Sequence, residues 1–261
     1  MTTIQTYFYS RLRNVLITTT LLFITSAANA AVLYNGYADI EFNLDSVRHA
    51  QGNGNGPGPG PIRNAISSTG SVFEASAISS GAATATYLTE LISPNDWAID
   101  EPFFQYSESY GDAGLTGDGT GTSDAFADTE FSIFVENNLN SALIFTFSFF
   151  SYVSADVIID GDLGPFDDGG AYAEIFMADD FTDELLFSSA EVFVGGSMFD
   201  SDYIEGNIIF TLAPGESNTI YGNVYSEGYA ATVAEPSLLY LFCLGLVGLV
   251  RLKRQKTLTA S

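Results

Sequence analysis

Carboxylates are the main chemistry this sequence offers. Asp156, Asp160, Asp162, Asp167 and Asp168 fall in one Gly-rich stretch (DVIIDGDLGPFDDGG); Asp179, Asp180, Asp183 and Glu184 follow, then Asp200, Asp202 and Glu205. Hard oxygen ligands at close spacing suit Ca²⁺, because clustered negative groups repel one another unless a cation lies between them. None of these stretches matches the EF-hand loop, which needs Asp-x-Asp-x-Asp-Gly and a later bidentate Glu. Read plainly, they are solvated loops that favour solubility. No metal ligand, cofactor or catalytic residue is assigned. Two carboxylates can also hydrolyse a glycoside, but among 32 acidic residues some pair is always present, so abundance does not discriminate.

Other reactive side chains are scarce. His49 is the only histidine, with Arg48 before it and no nucleophile-elbow motif to serve. Cys243 lies in an apolar run, where it behaves as a small hydrophobe, and Trp97 alone is a thin basis for sugar stacking. One Cys excludes a disulfide framework, and one Cys with one His argues against an ordinary zinc site. The 32 acidic residues face only 8 basic ones, which excludes a nucleic-acid binder. With 46% hydrophobic residues, 21 Phe and 14 Tyr, the chain is also too apolar and aromatic for a disordered acidic tail.

Residues 31–232 read as strands. Phe131, Ile133 and Val135 alternate with Glu130, Ser132, Phe134 and Glu136; Phe145, Phe147 and Phe149 share one face with Thr146 and Ser148 opposite. Segments 171–177, 185–194, 208–212 and 219–225 behave alike, and Val72 to Ala85 suits a thin strand or a hairpin around Ser80-Gly81. Pro214-Gly215 marks a turn. The expected fold is all-β: an antiparallel, jelly-roll-like sandwich of nine or ten strands, with the aromatics mostly in its core. Residues 51–61 (QGNGNGPGPGP) are expected to be an exposed loop or short linker, and 111–121 a second loop of the same kind. Residues 31–50 are expected to form a first strand or arm that rejoins the sandwich.

The ends differ in kind. All acidic residues lie between Asp39 and Glu235, where only Arg48 and Arg63 are basic. Arg11 and Arg13, the apolar run Val15 to Ile24 and the Ala28-Asn29-Ala30 box read as a signal peptide over 1–30, with Ala31 as the mature N-terminus. Leu238 to Val250 is uncharged, and Arg251, Lys253, Arg254 and Lys256 follow. Residues 237–252 give roughly 24 Å of helix, and flanking cations that snorkel extend its reach. The positive-inside rule puts the basic anchor in the cytoplasm and the acidic ectodomain outside the inner membrane. Pro236 suits the first turn of a helix and Glu235 its positive dipole end.

Val233-Ala234-Glu235-Pro236-Ser237, the apolar helix and the basic tail together resemble the PEP-CTERM protein-sorting signal over residues 233–256. Glu235 and Pro236 match the family's Pro-Glu-Pro, and Ala234 stands where its first Pro would be. The resemblance implies an exosortase substrate of a Gram-negative bacterium. It would be cut near the motif, then released or re-anchored in an exopolysaccharide or biofilm setting, with signal peptidase and exosortase as processing partners. The expected function is a non-enzymatic, exported surface or matrix protein. The alternatives are a Ca²⁺-dependent carbohydrate-binding module or adhesin, and a glycan-processing enzyme with a carboxylate pair.

Overall fold

Side chains that alternate every second residue decide these elements, because successive residues of a strand point to opposite faces. The computed structural model describes residues 30–50, 66–94, 102–114, 120–161 and 167–233. Several expected features lie outside the described residues. They are Ala28 and the signal peptide before it, the loop 51–61, Trp97, Asp162, and the sorting motif Ala234-Glu235-Pro236. The helix 237–252 with Cys243, and Arg251, Lys253, Arg254 and Lys256, lie outside as well. Among the described residues no helix is long and apolar enough to cross a membrane.

Ten strands follow in order: β1 (Ala31–His49), β2 (Ile66–Gly81), β3 (Ala83–Ile92), β4 (Phe103–Ala113), β5 (Gly121–Glu136), β6 (Leu143–Asp160), β7 (Asp168–Asp179), β8 (Thr182–Phe193), β9 (Phe199–Leu212) and β10 (Ser217–Thr232). They form two antiparallel five-stranded sheets packed as a sandwich. The first has the order β3-β4-β1-β6-β9 and the second β2-β5-β10-β7-β8. The expected sandwich is therefore present, and residues 31–49 form the central strand of its first sheet.

Two details correct the sequence reading. The chain around Ser80-Gly81 is not a hairpin: β2 pairs with β5 and β3 with β4, in different sheets. Gly81 adopts a φ of 71°, which turns the chain across the sandwich, and Ala82 bonds to strand connections on both sides, its N–H to the Thr120 carbonyl and its carbonyl to the Gly114 N–H. The loop expected over 111–121 is shorter, because Gly111, Asp112 and Ala113 complete β4. The turn at Pro214-Gly215 is as expected, with Gly215 at a φ of 80°.

The core has two halves of different character. Toward one pole Phe42, Phe103 and Phe131 meet with ring centroids 5.4–6.1 Å apart, and Phe210 stacks on Phe145 and Phe147. Toward the other pole the interior is lined by Gly36, Ala38, Ser107, Ser109, Ala125, Ala173 and Ser226. There the sheets nearly touch: a Cβ on Gly36 would lie 2.6 Å from the Tyr172 carbonyl oxygen and 2.8 Å from that of Glu227. Sheets normally pack about 10 Å apart, so this spacing exists only because the facing side chains are small. Tyr34 is the large exception. Its ring occupies space that Gly111 and Gly228 leave open, since a Cβ on either would collide with it, and burial pushes its phenol up to about 12.

Candidate functional site

β1 runs through the centre of the first sheet, so its outward residues sit between two neighbours each. Register pairs Asn35 with Tyr110 and Asp156, Tyr37 with Glu108 and Ser154, Asp39 with Tyr106 and Tyr152, and Glu41 with Phe104 and Phe150. Directly opposed residues share a face. One strand further out, Tyr203 and Glu205 stand beside Tyr152 and Phe150, while Leu88 and Glu90 stand beside Glu108 and Tyr106. The outer face of this sheet is thus a grid of aromatic rings and carboxylates.

The rings are mutually ordered. Tyr37 stacks on Tyr106 at 5.9 Å with 24° between planes and meets Tyr152 at 6.2 Å; Phe104 meets Tyr106 at 5.9 Å, and Phe150 meets Tyr203 edge-on at 4.8 Å. Asp39 is enclosed among them, 7% exposed. Burial raises its carboxyl to about 6; a hydrogen bond from Tyr37 opposes that shift and the charge of Glu41 adds to it. Tyr37 is raised too, first by burial and then by the charges of Asp39 and Glu108. Two depressions flank this centre. One of 580 Å³ is lined by Asn35, Glu108, Tyr110, Asp112 and Asp156, and one of 390 Å³ by Asn43, Phe150, Glu205 and Asn207. In the larger, Asp112 accepts a hydrogen bond from the Thr84 hydroxyl, and its second carboxylate oxygen is buried without a partner among the described residues.

Flat rings beside carboxylate and amide oxygens form a set that suits a polyol. The rings can cover the C–H face of a sugar, and the oxygens can accept from its hydroxyl groups. Asp39 and Glu41 are two residues apart on one strand, roughly 7 Å between Cα atoms. They share an open sheet face rather than facing each other across a cleft.

The same side-chain pairing recurs on both sheets. Tyr203 donates to Glu205 at 2.8 Å, Tyr225 to Glu227 at 2.5 Å, and Tyr172 to Glu174. Each pair is a Tyr-x-Glu step along a strand, which puts both groups on one face. Tyr37-Ala38-Asp39 and Tyr106-Ser107-Glu108 repeat the spacing. No lysine lies between Asp39 and Glu235, so tyrosine hydroxyls serve as donors to these carboxylates, of which Glu174 is half-buried and Glu205 and Glu227 are exposed. This Tyr-x-acid spacing was the available signal for the face. Assigning the aromatics to the core hides it.

The acidic residues proposed from sequence are dispersed. Asp156 and Asp160 lie on β6, Asp168 and Asp179 on β7, Asp183 and Glu184 on β8, and Asp200, Asp202 and Glu205 on β9, so the loop assignment is corrected for these. Many are local acceptors. Asp179 takes the Phe181 N–H and the Asn218 amide, Asp180 the Thr219 N–H, Asp202 the Ser188 hydroxyl and Asp167 the Val233 N–H. Among the described residues no group of three or more His, Cys, Asp or Glu side chains is placed to hold a metal ion. His49 ends β1 with its Nδ1 2.8 Å from the Ser141 hydroxyl.

The two ends of the sandwich meet. Ala30 is buried and Ala31 opens β1 opposite Asp160. Gly114, at a φ of 93°, packs where a Cβ would strike both the Ala30 carbonyl and the Thr232 side chain. Residues 30 and 232 therefore leave the fold at one pole.

No protein-family model matches the chain, and no curated protein matches it. Among solved structures, a C-terminally truncated trimeric ectodomain of the C. elegans fusion protein EFF-1 shares 7% identity with a TM-score of 0.07, covering 77% of this chain and 67% of that one. A likeness this slight carries no argument.

Proposed function

We propose that this chain is a non-enzymatic protein exported by a Gram-negative bacterium and displayed at its surface or in its matrix. In this reading signal peptidase removes residues 1–30, and helix 237–252 anchors the chain in the inner membrane with its basic tail inside. Exosortase acts near Ala234-Glu235-Pro236. The observation that supports it is the meeting of Ala30 and Thr232 at Gly114. Both sorting segments leave from one pole, so a sandwich tethered through β10 projects its opposite pole outward. The test is mass spectrometry of the natively produced protein, where Ala31 is the expected first residue. A full-length mass would end the processing model, and a reporter fused at residue 230 that is active in the cytoplasm would end the topology.

A second reading, a carbohydrate-binding module or adhesin, is favoured by the ring-and-carboxylate face of the first sheet. The fold fits it. Counted from β4 through β10 and closing on β1, the strands take the orders 1-8-3-6 and 2-7-4-5, the wrapped order of a jelly roll, an architecture common in lectins. Because Asp39 is enclosed among the rings and Glu41 follows it along the same strand, the two do not face each other across a cleft, and the geometry favours binding over hydrolysis. Titration with oligosaccharides by calorimetry tests it. Tyr106→Ala, which removes the ring stacked on Tyr37, is expected to weaken binding at least tenfold (about 1.4 kcal/mol). An unchanged affinity would move the site elsewhere.

A further inference from the structure

The two lateral sides of the sandwich are built differently. On one side the outermost strands are β8 and β9, which carry Asp183, Glu184, Glu191, Asp200, Asp202 and Glu205. One edge amide is capped, the Glu191 N–H donating to Asp200 of the other sheet at 3.2 Å, and the Ser188 hydroxyl ties the two strands by donating to Asp202 at 2.7 Å. Charges and capped amides are the means by which natural sheets prevent a foreign strand from adding to an edge.

On the other side the outermost strands among the described residues are β2 and β3, packed together through Leu91 against Gly70 and through Ser68 and Ser93, whose hydroxyls are 2.5 Å apart. Their only charged residues are Glu74 and Glu90. Apolar side chains stand out to solvent here, Val72, Phe73 and Ile78 on β2 and Leu88 and Ile92 on β3, as Phe187, Phe193, Phe199 and Ile209 do on the other side, so the two sides differ in charge rather than in apolar exposure. Phe73, 65% exposed, is the extra residue of a bulge between Val72 and Glu74. The polar contacts of Thr69 with Ser132 and of Ser80 with Thr122 run inward to β5, so they do not cap the outward edge. Apart from Glu74 and the bulge at Phe73, both of which interrupt it near the middle, this strand of 16 residues has no proline or further charge to stop another strand from adding to its edge.

We propose that β2 pairs with β2 of a second copy of this chain, antiparallel and across a two-fold axis, extending the second sheet from five strands to ten. The occupant follows from charge. Two copies with this excess of carboxylates repel wherever acidic faces meet, and the β2–β3 side is where the fewest charges oppose one another. A two-fold contact brings that strip against itself. This inference is independent of the export and glycan readings.

Sedimentation of the full chain in detergent, at 10–100 µM protein and 0.15–0.5 M NaCl, tests it. The expected result is twice the chain mass, with dissociation tightening at least tenfold between low and high salt as repulsion is screened. The double variant Ser76→Glu/Ile78→Glu, at outer-face positions of β2 where Ser76 is half-buried and Ile78 exposed, is expected to be folded by circular dichroism and monomeric. Phe187→Glu on the guarded β8 edge is expected to remain dimeric. A monomer under all conditions overturns the proposal, as does a dimer that survives the β2 variant and is lost in Phe187→Glu. A monomer that dimerises only when residues 51–61 are deleted also overturns it, by assigning the edge to that segment.

Discussion

Asp39 lies on the central strand with Tyr106 on one side and Tyr152 on the other, and little of it meets solvent. Its carboxyl is raised from 3.8 to about 6, mainly by burial. A carboxyl raised in the folded state binds its proton more tightly there than in the unfolded chain. Folding is then favoured below pH 3.8, and that contribution is lost as pH rises through about 6. Above that range the buried charge is a standing cost. Asp39→Asn keeps an oxygen that can accept from Tyr37 and removes the charge. It is expected to raise the melting temperature by about 2–4 °C at pH 7.5, corresponding to about 1 kcal/mol after allowance for partial solvent screening. At pH 3.5 most of the difference is expected to be gone, since Asp39 is then protonated in the folded state and largely so in the unfolded chain. Thermal scans at the two pH values check this, and a variant less stable at pH 7.5 would show that the carboxylate is stabilising there.

At the scale of elements, the small-residue half of the core is what lets β1, β7 and β10 approach so closely. Gly36→Ala puts a methyl group 2.6 Å from the Tyr172 carbonyl oxygen, a backbone atom that cannot swing away. The sheets must part locally, and the expected loss is about 2–3 kcal/mol in urea unfolding, at the upper end for overpacking. A loss below 0.5 kcal/mol would mean that the sheets separate freely there. The alternation of Phe131, Ile133 and Val135, and of Phe145 and Phe147, made the sandwich legible in sequence, because apolar side chains every second residue have one reading. The same alternation concealed the outer face of the first sheet. Phe104, Tyr106, Phe150 and Tyr152 also recur at period two, and period alone does not say which face is in. The face becomes evident only when register sets Phe103 and Val153 inward, both fully buried. Sheet order was equally hidden, since β2 and β3 follow each other without a loop but belong to different sheets, and pairing between distant strands leaves no local trace.

The whole molecule is a compact body with a large excess of one charge. Among the described residues Arg48 is the one lysine or arginine, and hydroxyls and amides do much of the bonding to carboxylates that cations do elsewhere. Folding brings these charges closer than they are in the expanded unfolded chain, so their repulsion opposes the native state. Screening should relieve it. Between 10 mM and 150 mM NaCl the Debye length falls from about 30 Å to about 8 Å, which brings the range of repulsion below the dimensions of the sandwich. The melting temperature is expected to rise over that interval by on the order of 4–8 °C, equivalent to about 2 kcal/mol. A protein held by ion pairs would show the opposite slope, and a falling melting temperature would refute this account. The same titration separates screening from a specific cation site. Mg²⁺ and Ca²⁺ at equal ionic strength are expected to raise the melting temperature equally and only at millimolar levels. A step specific to Ca²⁺ at micromolar concentration would instead show that carboxylates converge on that ion, because screening does not distinguish two divalent cations.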